Sequence, residues 1–344
     1  MKNISSPLLY SLLLMMLVCL WSGCSLDAQD TNGKEFKILT YNVQNLMDDQ
    51  LDGDEYPEYR PSEKWNTPSY HMRLRTLNEV LTTRSLGLCD VLVLQEVEHE
   101  KVIADLLDRH LGRKGYGWYA VAKDEGSPIA TALISRSKPK HVAVHAVKGA
   151  RSVLEAVFDT QRGEVVIFAL HAKSQIGDFP ETEALRLALS RVLTEAARRH
   201  EGSLIILCGD FNSNPKPYEE NNLIQPALIN IADPKARTYM SAGSLGITGR
   251  RDLVYSDVWY CPFLDGQNSF DKPGTCYFGG SWHHYDQFLG NGLLFDGLGW
   301  EYGSAKIIAP SAAQKADGTP MAWNLSTLSG VSDHFPLLLT LLCR

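Results

Sequence analysis

The strongest constraint on this chain is a set of short, unbroken apolar runs, each ending in polar residues. Val91-Leu92-Val93-Leu94 runs into Gln95 and Glu96. Residues 165–170, Val-Val-Ile-Phe-Ala-Leu, run into His171 and Lys173. Leu204-Ile205-Ile206-Leu207 runs into Gly209-Asp210-Phe211-Asn212. An apolar run of this length without alternation reads as a strand covered on both faces. Helical spacing of apolar residues over 70–81, 102–111 and 181–200, the last with Leu185, Leu189, Val192 and Leu193 on one side, supplies the covers. Strands are further predicted over 36–41, 90–94, 130–135 and 152–158, and 331–342 holds a last strand. Residues 48–68, acidic and rich in Pro and Tyr, read as a loop. Residues 211–257, rich in Asn, Pro and Gly, read as long loops with short helices. The order predicts one α/β domain with two sheets inside helical layers.

The chain has 344 residues, 44% hydrophobic and 21% charged, which is ordinary for a globular protein and enough for a large core. Its formal net charge of -7 argues against an extended basic face for a nucleic-acid backbone, although it is compatible with a local basic groove. The first two dozen residues read as an export segment. Lys2 precedes an apolar stretch over 8–21, too short to span a membrane comfortably. It ends in Trp21-Ser22-Gly23-Cys24, similar to a lipobox in which Cys24 becomes the lipidated first residue; a plain signal peptide cleaved near Ala28 is the alternative. Residues 25–33 are polar, as a tether would be. The expected organisation is an export segment over 1–24, a tether over 25–33 and one domain over 34–344. Such a chain would be held at a bacterial membrane by a lipid anchor, facing the periplasm or the exterior. Cys89 and Cys208 sit in or beside apolar runs and read as small core residues. Cys261 and Cys276 flank a loop-rich segment, where a disulfide is open to them in an oxidising compartment.

Polar residues at the ends of core strands converge on one cleft in α/β folds. Here they are Asn42 after the first strand, Glu96, His171, Asp210 and Asn212, and Ser332-Asp333-His334 before the last. Carboxylates and carbonyls suit a hard cation such as Mg²⁺, which polarises a phosphoryl oxygen. A further carboxylate can position or deprotonate water, and histidines can donate protons. Phosphoester hydrolysis needs this set.

Four motifs stand in order: Thr40-Tyr41-Asn42-Val43, Leu94-Gln95-Glu96-Val97, Gly209-Asp210-Phe211-Asn212 and Ser332-Asp333-His334-Phe335-Pro336. On them the chain resembles the endonuclease/exonuclease/phosphatase superfamily, over nearly all of its length after the tether. The resemblance implies a DNase I-like, four-layer sandwich of two mixed β-sheets flanked by helices. It implies that Glu96 is the main ligand of Mg²⁺ or Mn²⁺, with Asn42 beside it and Asp333 near the metal. It implies that Asp210 orients the attacking water, that Asn212 helps hold the phosphate, and that His334 contacts the scissile phosphate. Asp286 would pair with His334, and His171 would act as general acid. Gln287 departs from the pattern, since the family usually has His or a similar residue there. Residues 45–49, Trp65, Arg73, Arg75 and 151–155 resemble a branch of exported bacterial members.

The expected activity is therefore a metal-dependent phosphodiesterase acting as a monomer, with nucleic acid as its first substrate class. Phosphatase or phospholipase/sphingomyelinase-like activity on small phosphoesters or lipid head groups is the second reading. A non-catalytic surface-binding lipoprotein is a third, against which the complete residue set speaks. Arg250 and Arg251 are candidate nucleic-acid contacts or solvated loop charges. Lys173 binds phosphate or is simply exposed, and His283 and His284 read as structural. Residues 277–282 are the one candidate for a membrane-entering loop but read better as a packed aromatic strand. The acidic residues 48–55 lack the calcium-loop pattern and read as a solvated loop.

Overall fold

The apolar runs become the central strands of two stacked sheets. The computed structural model describes residues 34–215 and 224–344; the export segment, Cys24 and the tether lie outside them. Residues Lys34–Arg344 form one compact unit. The chain opens with β1 (Glu35–Leu46), β2 (Val91–Val97), β3 (Trp118–Ala122) and β4 (Ala130–Ser135). β5 (His141–His145), β6 (Val153–Thr160), β7 (Gly163–His171) and β8 (Leu204–Asp210) follow. Then come the short β9 (Leu228–Asn230), β10 (Leu245–Thr248), β11 (Val258–Tyr260), β12 (Cys276–Phe278) and β13 (Ser281–His283). β14 (Asp286–Gly290), β15 (Trp300–Ile307) and β16 (Leu337–Cys343) close the chain.

One sheet runs β15-β16-β1-β2-β4-β3 and the other β5-β6-β7-β8-β14-β11-β10-β9. Both are mixed: β1 with β2 and β7 with β8 are parallel, whereas β1 with β16 and β8 with β14 are antiparallel. Ile38, Val91 and Val93 of the first sheet share a buried cluster with Val165, Ile167, Ile206 and Phe288 of the second. The alternate residues Leu39, Tyr41, Leu92 and Leu94 belong to a second cluster, with the helix α1 (Thr67–Leu81) and with α2 (Glu100–Leu106). Val166, Phe168, Ile205 and Leu207 pack with α3 (Phe179–Ala197) in a third. Each central strand thus buries both faces, which is why its sequence shows no polar alternation.

The helix starts follow local chemistry. Asn66 caps α1 and Asp178 caps α3, each through a side-chain oxygen that accepts a backbone N–H, with Pro68 and Pro180 in the first turns. The long-loop expectation for 211–257 needs correction. Its expected short helix is α4 (Ala236–Ser241), but it also holds β9 and β10, strands too brief to show a period. The last strand begins at Leu337, with Ser332-Asp333-His334 in the loop before it, as expected. The cysteines Cys261 and Cys276 are buried and unbonded to each other.

Residues 48–68 also differ from a simple solvated loop. Asp48, Glu55, Tyr59 and Trp65 are buried there. Trp65 Nε1 donates to the Asp48 carbonyl at 2.5 Å. The Asp48 carboxylate accepts from Gln50 N at 2.7 Å and from Lys101 Nζ at 3.3 Å. Asp48, Asp52, Glu98 and His99 gather close enough to share a cation. His99 lies 2.7 Å from Asp52, and Lys101 lies against Asp48 and meets part of this charge from within.

Candidate active site

Strand direction brings the polar residues to one end of the sandwich. β1 and β2 run in parallel, so Asn42 and Glu96 leave the first sheet at the same edge. β16 runs against β1, with Leu337 opposite Thr40, so the preceding loop returns His334 to that edge. In the second sheet His171 stands opposite Asp210, and Asp210 opposite Asp286. One amide joins the two halves: Asn42 Nδ2 donates to Glu96 Oε1 at 3.0 Å and to Asp210 Oδ2 at 3.1 Å.

The backbone is irregular where it must aim these groups. Pairing of β1 with β2 shifts between Asn42 and Leu46, and pairing of β2 with β4 shifts between Gln95 and Val97. Gln44, Asn45, Glu96 and Asn212 all have left-handed φ, from 49° to 64°. Such bulges and strained residues re-aim side chains at functional sites. Gln95 stays in the sheet against Thr40, which frees Glu96 to face the cleft. The Glu96 carboxylate also accepts from Asn45 N at 3.0 Å, and Asn42 Oδ1 accepts from Gln44 N at 3.0 Å. Gly209 has φ +144°, and a Cβ there would stand 2.0 Å from the Leu170 carbonyl oxygen. Only glycine allows β8 to close on β7 beside Asp210.

The charged groups depart from their ordinary behaviour. Burial pushes the Asp210 carboxyl up to about 7, with nearby Asp286 adding to the rise. Burial, then the neighbouring Asp333 charge, also raises Glu96. His171 is held well below the ordinary histidine range by burial and by the charges of Arg151, His334 and Lys173. Its Nε2 lies 3.7 Å from Asp210 and 3.9 Å from Glu96, and its buried Nδ1 has no partner. For His334 burial acts downward, but Asp286 and Cys276 together outweigh it and hold the pKa well above the usual range. Asp286 Oδ2 lies 2.7 Å from His334 Nδ1. Ser332 Oγ supports this histidine by accepting its backbone N–H at 3.0 Å while donating to the Asn42 carbonyl at 2.7 Å.

The structure therefore gathers Asn42, Glu96, His171, Asp210, Asp286, Asp333 and His334 in one electrostatic cluster. Asn212 joins them through its N–H to Asp210 Oδ1 at 2.8 Å and its amide to the Ala172 carbonyl at 3.2 Å. The departure at Gln287 has a structural account. Its side chain turns from Asp286 and donates to the Ser213 carbonyl at 2.5 Å, which ties the Asp210 loop to β14. Arg250 and Arg251 are engaged elsewhere, with Asp252 and Asp265, and Arg251 lies over Phe295 and Tyr302. His283 uses its ring nitrogens on Asn214 and the Phe278 carbonyl. Sequence reasoning missed Tyr56, whose hydroxyl feels Glu96 and Arg151. It also missed the role of Gln44 and Asn45, although an Asn after the first motif is compatible with left-handed backbone.

The donor set bears on a metal. Asp210, Asp286 and His334 each offer an atom within 4.8 Å of the others. Glu96 and Asp333 repel each other, and one Asp286 oxygen is buried without a partner. Oxygen-rich, this end of the cleft fits a hard divalent cation.

Residues 37–266 match the endonuclease/exonuclease/phosphatase family. The chain belongs to that family. Its two-sheet sandwich is shared by solved structures of low identity. Truncated TDP2 of Caenorhabditis elegans is 14% identical, with a TM-score of 0.53 over 90% of this chain and 98% of that one. The mannosyl-6-phosphatase of Bacteroides thetaiotaomicron VPI-5482 is 14% identical, with a TM-score of 0.52 over 89% and 99%. Sphingomyelinase C of Streptomyces griseocarneus is 16% identical, with a TM-score of 0.52 over 90% and 99%. No protein of curated function matches the sequence.

Proposed function

We propose that this family member is a divalent-cation-dependent phosphodiesterase, exported, anchored through Cys24 and active as a monomer. The observation that carries the chemistry is the Asn42 amide bridging Glu96 and Asp210 while His334 bonds Asp286. Glu96, Asn42 and Asp333 would hold Mg²⁺ or Mn²⁺, which would polarise the phosphoryl group and offset charge on the leaving oxygen. Asp210, with its pKa near neutrality, orients water and accepts its proton. Protonated His334, fixed by Asp286, stabilises charge on the phosphoryl oxygens. His171 stays neutral next to Asp210 and protonates the leaving group after the proton is passed to it. Asn212 holds a phosphoryl oxygen.

Nucleic acid is the first substrate class in this reading, but Arg250 and Arg251 do not support it because both are paired. A second reading, hydrolysis of lipid head groups, has one observation in its favour. Residues 277–282 are not a packed strand. They form the β12–β13 hairpin, with Tyr277 and Phe278 exposed and Cys276 bridged to His334. An apolar tip next to the site suits a membrane-borne substrate.

The test is hydrolysis by the purified protein with Mg²⁺, Mn²⁺ or EDTA. The substrates are plasmid DNA, RNA, bis-p-nitrophenyl phosphate, inositol phosphates and sphingomyelin vesicles. EDTA-sensitive cleavage, lost in Glu96→Ala, is the expected result. Turnover that survives EDTA or Glu96→Ala overturns the mechanism. Lipid cleavage that falls in Phe278→Ser, with bis-p-nitrophenyl phosphate turnover unchanged, selects the second reading.

A further inference from the structure

We propose that Arg73, which touches none of the candidate ligands, is a positioning residue that sets the divalent-cation affinity of the site. The inference rests on the reading that Glu96 and Asn42 hold a cation. Arg73 lies on α1 and is fully buried. Its Nη2 donates to the carbonyls of Val43 and, at 3.2 Å, of Gln44.

The amides of the same two peptide groups face the cleft. In the Val43–Gln44 peptide, the carbonyl is held by Arg73 and the N–H by Asn42 Oδ1. In the Gln44–Asn45 peptide, the carbonyl is held by Arg73 and the N–H by Glu96 Oε2. C=O and N–H point in opposite directions across a rigid trans peptide. Each peptide plane is therefore a lever with the guanidinium at one end and a candidate ligand at the other. Gln44 and Asn45 are left-handed, with φ of 52° and 49°, a conformation that Asn adopts readily but that is costly for Gln44 without outside support.

The remaining contacts hold the guanidinium in place. It lies 4.7 Å from the Trp323 ring, and Gln44 Oε1 accepts from Trp323 N at 2.7 Å. Two of the three guanidinium nitrogens, Nε and Nη1, are buried without partners. A residue present for packing alone would be better apolar, since a buried, half-satisfied cation is costly. Its neighbours on α1, Leu74 and Leu77, already fill that role. Holding both carbonyls of the ligand-bearing turn from one nitrogen is what calls for a buried donor at this position.

The experiment uses the metal-free full chain and titrates it with Mn²⁺ calorimetrically, alongside the Mn²⁺ dependence of turnover. Arg73→Met keeps the bulk and removes the donors. It should weaken Mn²⁺ binding about 10–100-fold, the range for residues that orient metal ligands. Turnover at saturating Mn²⁺ should remain within about threefold of wild type, which separates affinity from chemistry. Arg73→Lys should fall between the two proteins. Wild-type Mn²⁺ affinity in Arg73→Met overturns the proposal, as does lost turnover at saturation with affinity unchanged. Should Arg73→Met fail to fold, Arg73→Lys decides, and wild-type affinity there overturns it. Absence of Mn²⁺ uptake by the wild-type protein overturns the cation reading and this inference together. Uptake by wild type that is unaltered in the variants overturns this inference alone.

Discussion

Asn42 and Asp210 belong to different sheets, yet a 3.1 Å hydrogen bond joins their side chains. The same Asn42 nitrogen reaches Glu96. It keeps two carboxylates apart and in register. Replacing Asn42 with Ala should leave them facing each other with no donor between. Turnover should fall by about 10²–10³, the scale of losing one preorganised polar group. Steady-state kinetics at saturating Mg²⁺, set against wild type, checks this; a loss below tenfold would show that the bridge is dispensable.

Asp210→Asn and His334→Ala should each reduce turnover by roughly 10³–10⁴ with the fold intact. Circular dichroism checks the fold, and a phosphoester assay checks the loss. Near-wild-type activity in either would remove the proposed chemistry.

Asp286→Asn should act through pH. Asp286 is the main reason that buried His334 keeps its proton. Without it, burial is opposed by Cys276 alone and the histidine pKa drops. The variant should lose far more activity at pH 8 than at pH 6, with the alkaline limb of its rate profile moved to lower pH. A profile parallel to wild type would sever the two residues functionally.

Stability should also depend on pH and metal. Asp210 and Glu98 are both raised to about 7, and Glu96 is raised too, in each case first by burial. An acid with a raised native pKa ionises first in the unfolded chain, so the native state binds more protons. Stability should then fall as pH rises from about 4 to about 7. His171, His110 and His283, depressed in the native state, act in the opposite sense below the ordinary histidine range, whereas His334, raised well above it, adds to the decline. Thermal melts of metal-free protein from pH 5 to 8 should show the decline, and Mg²⁺ should reverse it at pH 8. A flat profile without metal would contradict the raised affinity of these buried carboxylates for protons.

Gly209→Ala should destabilise the fold by roughly 3 kcal/mol or more, because the added carbon meets a backbone oxygen that cannot move. Denaturant unfolding measures the effect, and a change under about 1 kcal/mol would show unexpected slack between β7 and β8.

The central strands were legible because burial on both faces leaves a plain mark, as at Val91 to Leu94 and at Leu204 to Leu207. The candidate residues were legible because they follow those strands directly. What could not be read depends on contacts distant in sequence. The three-residue β9 carries no period, and it is a strand only because β10 lies beside it. Arg73 stands on α1 like any basic helix residue, and its burial against Val43 and Gln44 has no sequence mark. The hairpin at Tyr277 and Phe278 has the composition of a packed strand, and only the structure shows its tip exposed.

The pairing of β16 with both β1 and β15 has a consequence in time. A ribosome delivers Asn42, Glu96, His171 and Asp210 well before His334 and the strand that anchors it. Until Leu337–Cys343 arrives, β1 keeps an open edge and the carboxylates lack their protonated partner. A chain released early would carry most of the candidate residues without His334. On the proposed chemistry, hydrolysis would begin only once the last strand is in place.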